Sequence, residues 1–301
     1  MRGLGTDAMR IFLQLFLAIG LALNAAAAIA PCSPLPGADQ IWSKASVRWV
    51  FIGELHGSNE TPAAFRDLVC DAPARGKRVT VALERPTSEQ AALDGILTAK
   101  DLSAAQETLL RQPGWKDGMD GRASAAMMRL LVSLRELRGS YPDLAVAAFD
   151  APYTGTTPGA RDEAMGHALL SLGTAKSTDL TLILVGNAHA MQARQFGFDP
   201  AAMYLPPKEI LSLEATDRGG ESWSSIDGAW GPSKGGVGDK GATRPRGIFL
   251  DPNPAPFGKV DGIFSLGVEL TSSAPAAGEP SPLPACRIKF LAEHHATSHN
   301  R

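Results

Sequence analysis

The sequence has no excess of charge of either sign. Its 301 residues include 29 Lys and Arg against 31 Asp and Glu, a formal net charge of −2. Gripping a phosphate backbone or an anionic membrane surface takes clustered cations, so no nucleic-acid partner is expected. Cysteine is scarce, at three residues. The common catalytic signatures are missing as well. There is no Gly-x-Ser-x-Gly elbow, no His-Glu-x-x-His, no P-loop and no Cys-x-x-Cys. Gly236-x-Gly238-x-x-Gly241 matches the dinucleotide pattern. It lies in a Gly-rich stretch with no strand before it and no helix after it, so it is rejected. What is present, 44% hydrophobic and 20% charged residues, suits a packed core and excludes collagen, coiled coil and wholesale disorder.

The amino terminus reads as a processing signal. Arg2 and Arg10 precede an apolar run over 11–23, which leads into the small residues 25–28. Thirteen apolar residues fall short of the roughly 20 that a spanning helix needs, so no stable transmembrane segment is expected after processing. Ala26 and Ala28 form an A-x-A site, giving a signal peptide over 1–28 and a periplasmic or secreted protein. Lipid attachment at Cys32 is the weaker alternative, because Pro31 suits such a site poorly. In an oxidising compartment Cys32, Cys70 and Cys286 imply one disulfide and one leftover thiol, with the pairing left open.

The body of the chain alternates strand and helix. Apolar strands are expected at 47–52, 79–83, 144–149, 180–185 and 208–215. Helices are expected at 62–68 (capped by Thr61), 88–97, 102–110, 123–137 and 160–172, with a break over 112–121. Continuous apolar strands between helices predict an α/β fold, a mostly parallel central sheet flanked by helices on both faces. After about residue 219 the pattern weakens to a Gly-rich loop over 231–246, a late strand at 262–270 and a Pro/Ala linker over 272–284. The expected organisation is a signal peptide, a single α/β domain over 29–290 with an irregular C-terminal β-containing segment and a site-bearing core at 47–215, and a His-rich tail over 291–301.

Parallel sheets bind ligands beyond the carboxyl ends of their strands. The first expected strand is followed by Gly53-Glu54-Leu55-His56-Gly57 and then Glu60, and the second by Glu84-Arg85. Asp150 follows the third strand, and Gly186-Asn187-Ala188-His189 the fourth. Each strand thus delivers a carboxylate or an imidazole to one edge. His294, His295 and His299 lie in the tail and His167 within a helix, which leaves His56 and His189 at strand ends. His56 suits a general base on water, since an imidazole titrates near neutral pH, with Glu54 or Glu84 orienting it. The same four residues, Glu54, His56, Glu84 and His189, could instead hold a divalent metal ion.

Gly53-Glu54-x-His56-Gly57, Ala82-Leu83-Glu84, Arg161-Asp162-x-x-Met165 and Gly186-Asn187-Ala188-His189 resemble, in that order, the motifs of the erythromycin esterase/ChaN-like superfamily, with TraB/Tiki proteins more distant. The resemblance covers about residues 47–190. His56-Gly57-x-x-Glu60 looks like the esterase branch, while the two-residue spacing of Glu54 and His56 looks like the ChaN-like branch. It implies His56 as activating base, with Glu54, Glu84 and His189 completing the pocket. Glu60, Asp150, Arg161 and Asn187 would surround the substrate. Arg161 would pair with a pocket carboxylate, its alternative being a helix-surface pair with Asp162 or Glu163.

Two functions follow. One is an exported hydrolase whose His56 activates water on an ester-type or related bond of a small molecule, with or without a metal ion. The other is a periplasmic haem- or iron-binding protein without catalysis, drawing an axial ligand from His56, His189, Tyr153 or Tyr204.

Overall fold

The structure, a computed structural model, describes residues 32–118, 120–151, 157–174, 178–194, 197–226, 229–235, 244–250 and 259–278. The expected signal peptide, Tyr153, the Gly236–Gly241 pattern, Cys286 and the His-rich tail lie outside the described residues.

Seven strands form one sheet in the order β3-β2-β4-β1-β5-β9-β8. They are β1 (Trp49–Glu54), β2 (Val79–Pro86), β3 (Ala145–Asp150), β4 (Leu180–Gly186), β5 (Ile210–Thr216), β8 (Gly247–Leu250) and β9 (Gly262–Ser265). Every neighbouring pair is parallel except β8 against β9. The fold is therefore α/β, with a mostly parallel sheet. β1, β4 and β5 are buried at every position, which is why they read as unbroken apolar runs rather than alternating ones.

Helices cover both faces. Val50 and Ile52 of β1 join a core with Phe65 on α2 (Glu60–Ala74), Leu93 on α3 (Gln90–Thr98) and Leu134 on α6 (Ala125–Ser140). Trp49 and Phe51 point the other way, as alternation along a strand requires, and pack with Met165 and Leu169 of α7 (Pro158–Gly173). There the Trp49 indole N–H donates to the Leu169 carbonyl at 2.8 Å. Side-chain caps fix helix starts: Ser124 accepts from the Met127 amide on α6, and Thr157 from the Ala160 amide on α7. Smaller helices are α1 (Asp39–Trp42), α4 (Leu102–Leu110), α5 (Pro113–Lys116) and α8 (Asn187–Ala190). Among the described residues no helix is long and apolar enough to cross a membrane.

Several expectations need correction. The helix after β1 starts two residues earlier than expected and runs on through Val69, Cys70 and Ala72, which extend its buried face. Thr61 lies inside it rather than capping it, hydrogen-bonded to the Ser58 hydroxyl at 2.9 Å. Residues 231–234, expected as the start of a Gly-rich loop, belong to β7 (Ala229–Lys234), paired antiparallel with β6 (Glu221–Ile226). Residues 272–278 are not a free linker. They lie against the sheet's carboxyl edge, where the Ser273 amide donates to the Gly57 carbonyl and the Ala276 amide to that of Ala123, both at 2.8 Å. Of the open cysteine pairings, the one formed is Cys32–Cys70, with Cα atoms 5.8 Å apart.

Candidate active site

Four adjacent strands end at one edge and bring the site together. β1 supplies Glu54 and, just beyond its end, His56; β2 supplies Glu84, β3 Asp150, and β4 runs directly into α8, which carries Asn187 and His189. Glu84 is the hub. Its Oε1 accepts from Arg122 Nη1 and from Arg161 Nη2, both at 2.7 Å. Its Oε2 accepts from the Gly186 amide at 2.7 Å and faces His56 Nε2 at 3.3 Å. A carboxylate offers about four lone-pair directions, and all are taken. Burial alone would raise the Glu84 pKa, but the charges of Arg122 and His56 hold it well below the usual carboxylate range.

His56 lies between two carboxylates. Nδ1 meets Glu54 Oε1 at 3.0 Å, and Nε2 points at Glu84. Burial works to lower its pKa, but the Glu84 charge and the Glu54 hydrogen bond more than reverse this and carry it to about 10. The raised pKa favours the imidazolium, in which both N–H groups donate to these carboxylates. A pKa raised this far suits a proton donor better than the base expected from a ring titrating near neutrality.

His189 also lies near two carboxylates, with Glu84 Oε1 3.7 Å from its Nε2, but a guanidinium is closer to that nitrogen. Its Nδ1 lies 2.7 Å from Asp162 Oδ1, and its Nε2 lies 2.9 Å from Arg161 Nη1. A guanidinium only donates, so Nε2 must be the accepting nitrogen and the proton sits on Nδ1. Asp162 is fully buried and also accepts from the Ala201 amide at 2.8 Å, so the dyad is anchored from behind.

Arg161, in the first turns of α7, ties these parts together. It forks onto Asp150, with Nε to Oδ1 and Nη2 to Oδ2 both at 2.8 Å, while also reaching Glu84 and His189. Asp150 is fully buried, and burial lifts its pKa against the pull of Arg161.

Of the other residues singled out from sequence, Asn187 sits beside Gly53, where a Cβ would approach its Oδ1 to 2.8 Å. That oxygen and Glu54 Oε2 are buried without hydrogen-bond partners. Glu60 is not in the cluster. It accepts from the Thr271 amide at 2.9 Å and the Thr271 hydroxyl at 2.5 Å, so it fastens a loop instead. The proposed metal set also needs revision, because Glu84 has no lone pair left for a cation and two guanidinium groups already occupy its Oε1. Among the described residues no group of three His, Cys, Asp or Glu is arranged to hold a metal ion. As haem ligands, both rings of His56 and His189 are already hydrogen-bonded on each nitrogen, and Tyr204 packs edge-on to His167.

Two site residues escaped the sequence reading. Arg122 lies in the stretch between α5 and α6, and its Nε and Nη2 grip Asp120. Burial opposes ionisation of Asp120, but Arg122 draws its pKa down to about 2. Strand-end reasoning could not reach a loop between helices. Asp162 stands in the Arg161-Asp162-x-x-Met165 motif with no role of its own beyond the alternative surface pair with Arg161, whereas it is buried and hydrogen-bonded to His189.

Gly57 fixes the loop that presents His56. Its φ of +90° is in the left-handed region, where a side chain would be strained, and a Cβ would collide with the Trp223 carbonyl. Its own carbonyl accepts from the Trp223 amide at 2.9 Å and from the Ser273 amide, so β6 and the 272–278 segment wall this side of the site.

No family model and no curated protein matches the chain. Among solved structures it is similar to the type III effector HopBA1, with 18% identity, a TM-score of 0.40 and coverage of 66% of this chain and 94% of that one. A Bacillus cereus protein is similar at 12% identity and a TM-score of 0.49, covering 76% of this chain and 90% of that one. RRSP, a MARTX toxin effector domain from Vibrio vulnificus, gives 18% identity and a TM-score of 0.39, covering 56% and 33%.

Proposed function

We propose that the chain is an exported hydrolase that adds water across an ester-type or related bond of a small molecule. The observation that carries this is the contrast between the two imidazoles flanking Glu84. One is held protonated between carboxylates, and the other is held with an accepting nitrogen by Asp162 and Arg161. One ring facing carboxylates from both nitrogens, beside another that offers one nitrogen to a guanidinium, is an arrangement that suits an acid and a base sharing one reaction.

In this reading His189 Nε2 takes a proton from water as the resulting hydroxide attacks the carbonyl carbon, and Asp162 stabilises the imidazolium that forms. The tetrahedral oxyanion then collapses, the carbon–oxygen bond breaks, and His56 gives a proton to the leaving alkoxide. Arg122 and Arg161 supply positive charge beside the developing oxyanion. Substrate must displace Arg161 from His189 Nε2 so that water can take its place. The resemblance to the erythromycin esterase/ChaN-like superfamily supports the reaction class. Export is supported by the order of charged, apolar and small residues at the amino terminus and by the Cys32–Cys70 bridge, which occupies the thiol that a lipid anchor would need.

The test is hydrolysis of a panel of chromogenic and natural esters by the mature chain and by His189→Asn and His56→Gln. Each variant should lose at least about 100-fold in kcat, with His189→Asn keeping a near wild-type melting curve and His56→Gln, though less stable, still unfolding cooperatively. Undiminished turnover in folded His189→Asn would refute the base assignment. A panel with no turnover, together with a Soret shift at micromolar haem, would refute the hydrolase reading in favour of haem binding.

A further inference from the structure

Directly behind the site lies a second buried ion pair that touches none of the reacting groups. Arg85 follows Glu84 on β2, so its side chain leaves the opposite face of the strand. It is 3% exposed and forks onto Glu89, with Nε to Oε2 at 2.9 Å and Nη2 to Oε1 at 3.0 Å. Its guanidinium also stacks on the fully buried Trp115 of α5, 4.7 Å from the ring centroid. Gly114 lets the loop close over this pair, because a Cβ there would collide with the Glu89 carboxylate. A further N–H remains, on Nη1, and it donates to the Arg122 carbonyl at 3.0 Å.

We infer that Arg85, clamped by Glu89 and Trp115, is a positioning residue that seats Arg122 against Glu84. Among its described residues, the stretch from α5 to α6 has no strand or long helix to place Arg122. Trp115 fixes the start of this stretch on the Arg85 guanidinium, and the Arg85–carbonyl bond fixes its end. Arg122 then reaches Glu84 Oε1 at 2.7 Å, within the carboxylate that His56 faces. An ion pair serving only stability would have no reason to reach the backbone of this one residue. The bearing on turnover rests on the hydrolase reading, but the effect on His56 does not.

The experiment compares the mature wild-type chain with Arg85→Leu/Glu89→Leu, Arg122→Ala and the triple variant. Replacing both charges avoids leaving one of them buried and unpaired. The readout is the NMR titration of the His56 ring. Arg122→Ala removes a nearby cation, so the His56 midpoint should rise by about half a pH unit or more. The double variant should raise it in the same direction, and the triple variant should match Arg122→Ala. If the double variant fails to melt cooperatively, Arg85→Lys, which keeps a charge for Glu89 but loses the fork, should show a smaller rise. A folded double variant with a wild-type His56 midpoint would overturn the inference, as would Arg122→Ala leaving that midpoint unmoved. Where an ester is turned over, kcat should fall about tenfold in the double variant with no further loss on adding Arg122→Ala. If nothing is hydrolysed, the hydrolase reading fails and the titration still decides the role of Arg85.

Discussion

Asp162 Oδ1 and His189 Nδ1 lie 2.7 Å apart, joining a fully buried carboxylate on α7 to an imidazole on α8. The contact fixes which ring nitrogen carries the proton and turns the other toward the cluster around Glu84. Asp162→Asn keeps the shape but lets an amide donate to Nδ1, which would favour the wrong tautomer. Steady-state kinetics on a hydrolysed ester should show kcat reduced at least about 100-fold, with little change in KM. Equal kcat in the folded variant would show that the dyad does not orient a base.

The His56 pKa makes stability depend on pH in a defined direction. Its folded value of about 10 lies above the 6.5 of an unperturbed ring, so the native state holds the proton more tightly. That contribution is complete below pH 6.5 and is lost as pH rises through 10. Urea midpoints of wild type and His56→Gln should therefore differ most near pH 6 and converge by pH 10. A gap that widens with pH would contradict the pairing with Glu54 and Glu84.

Glu214, on β5 beside Gly53, is a carboxylate lifted to about 7 by burial alone. A raised carboxyl pKa means stability present below the unfolded value of 4.5 and lost as pH rises through 7. Glu214→Gln should match wild type at pH 4.5 and melt at a higher temperature at pH 8. Thermal scans at the two pH values check this, and an equal melting temperature at pH 8 would count against it.

The Cys32–Cys70 bridge spans 38 residues and ties the start of the described chain to α2. Closing a loop of that size constrains the unfolded chain by about 3–4 kcal/mol. Reductant, or Cys70→Ala, should lower the unfolding free energy by about that amount. A reductant-insensitive denaturation curve would show the bridge to be unformed.

The sheet and most of its helices were legible because their apolar patterning is local. β4 and α4 fall within a residue of expectation, since a buried strand reads as a continuous run and an amphipathic helix repeats every three to four residues. The β6–β7 hairpin was not, because Glu221–Ile226 and Ala229–Lys234 are dominated by Ser, Gly and polar residues with no apolar run. The strand-end rule named Glu54, His56, Glu84, Asp150 and His189, which do meet. It could not find Arg122, placed by contacts with Glu84 and Arg85 that are distant in sequence or hidden in a loop. Nor could it read the protonation of His56, which depends on a carboxylate from another strand. Glu60 misled because the spacing His56-Gly57-x-x-Glu60 suggests proximity, while the turn at Gly57 sends Glu60 to Thr271.

For His56 to serve as acid and His189 as base, the two imidazoles must hold opposite protonation states side by side. Nitrogen-15 NMR of the histidine rings at pH 7 reads this directly in the wild-type chain, with His56→Gln and His189→Asn assigning the signals. His56 should show both ring nitrogens protonated, and His189 a neutral ring with its proton on Nδ1. A neutral His56, or a His189 protonated on Nε2, would contradict the account.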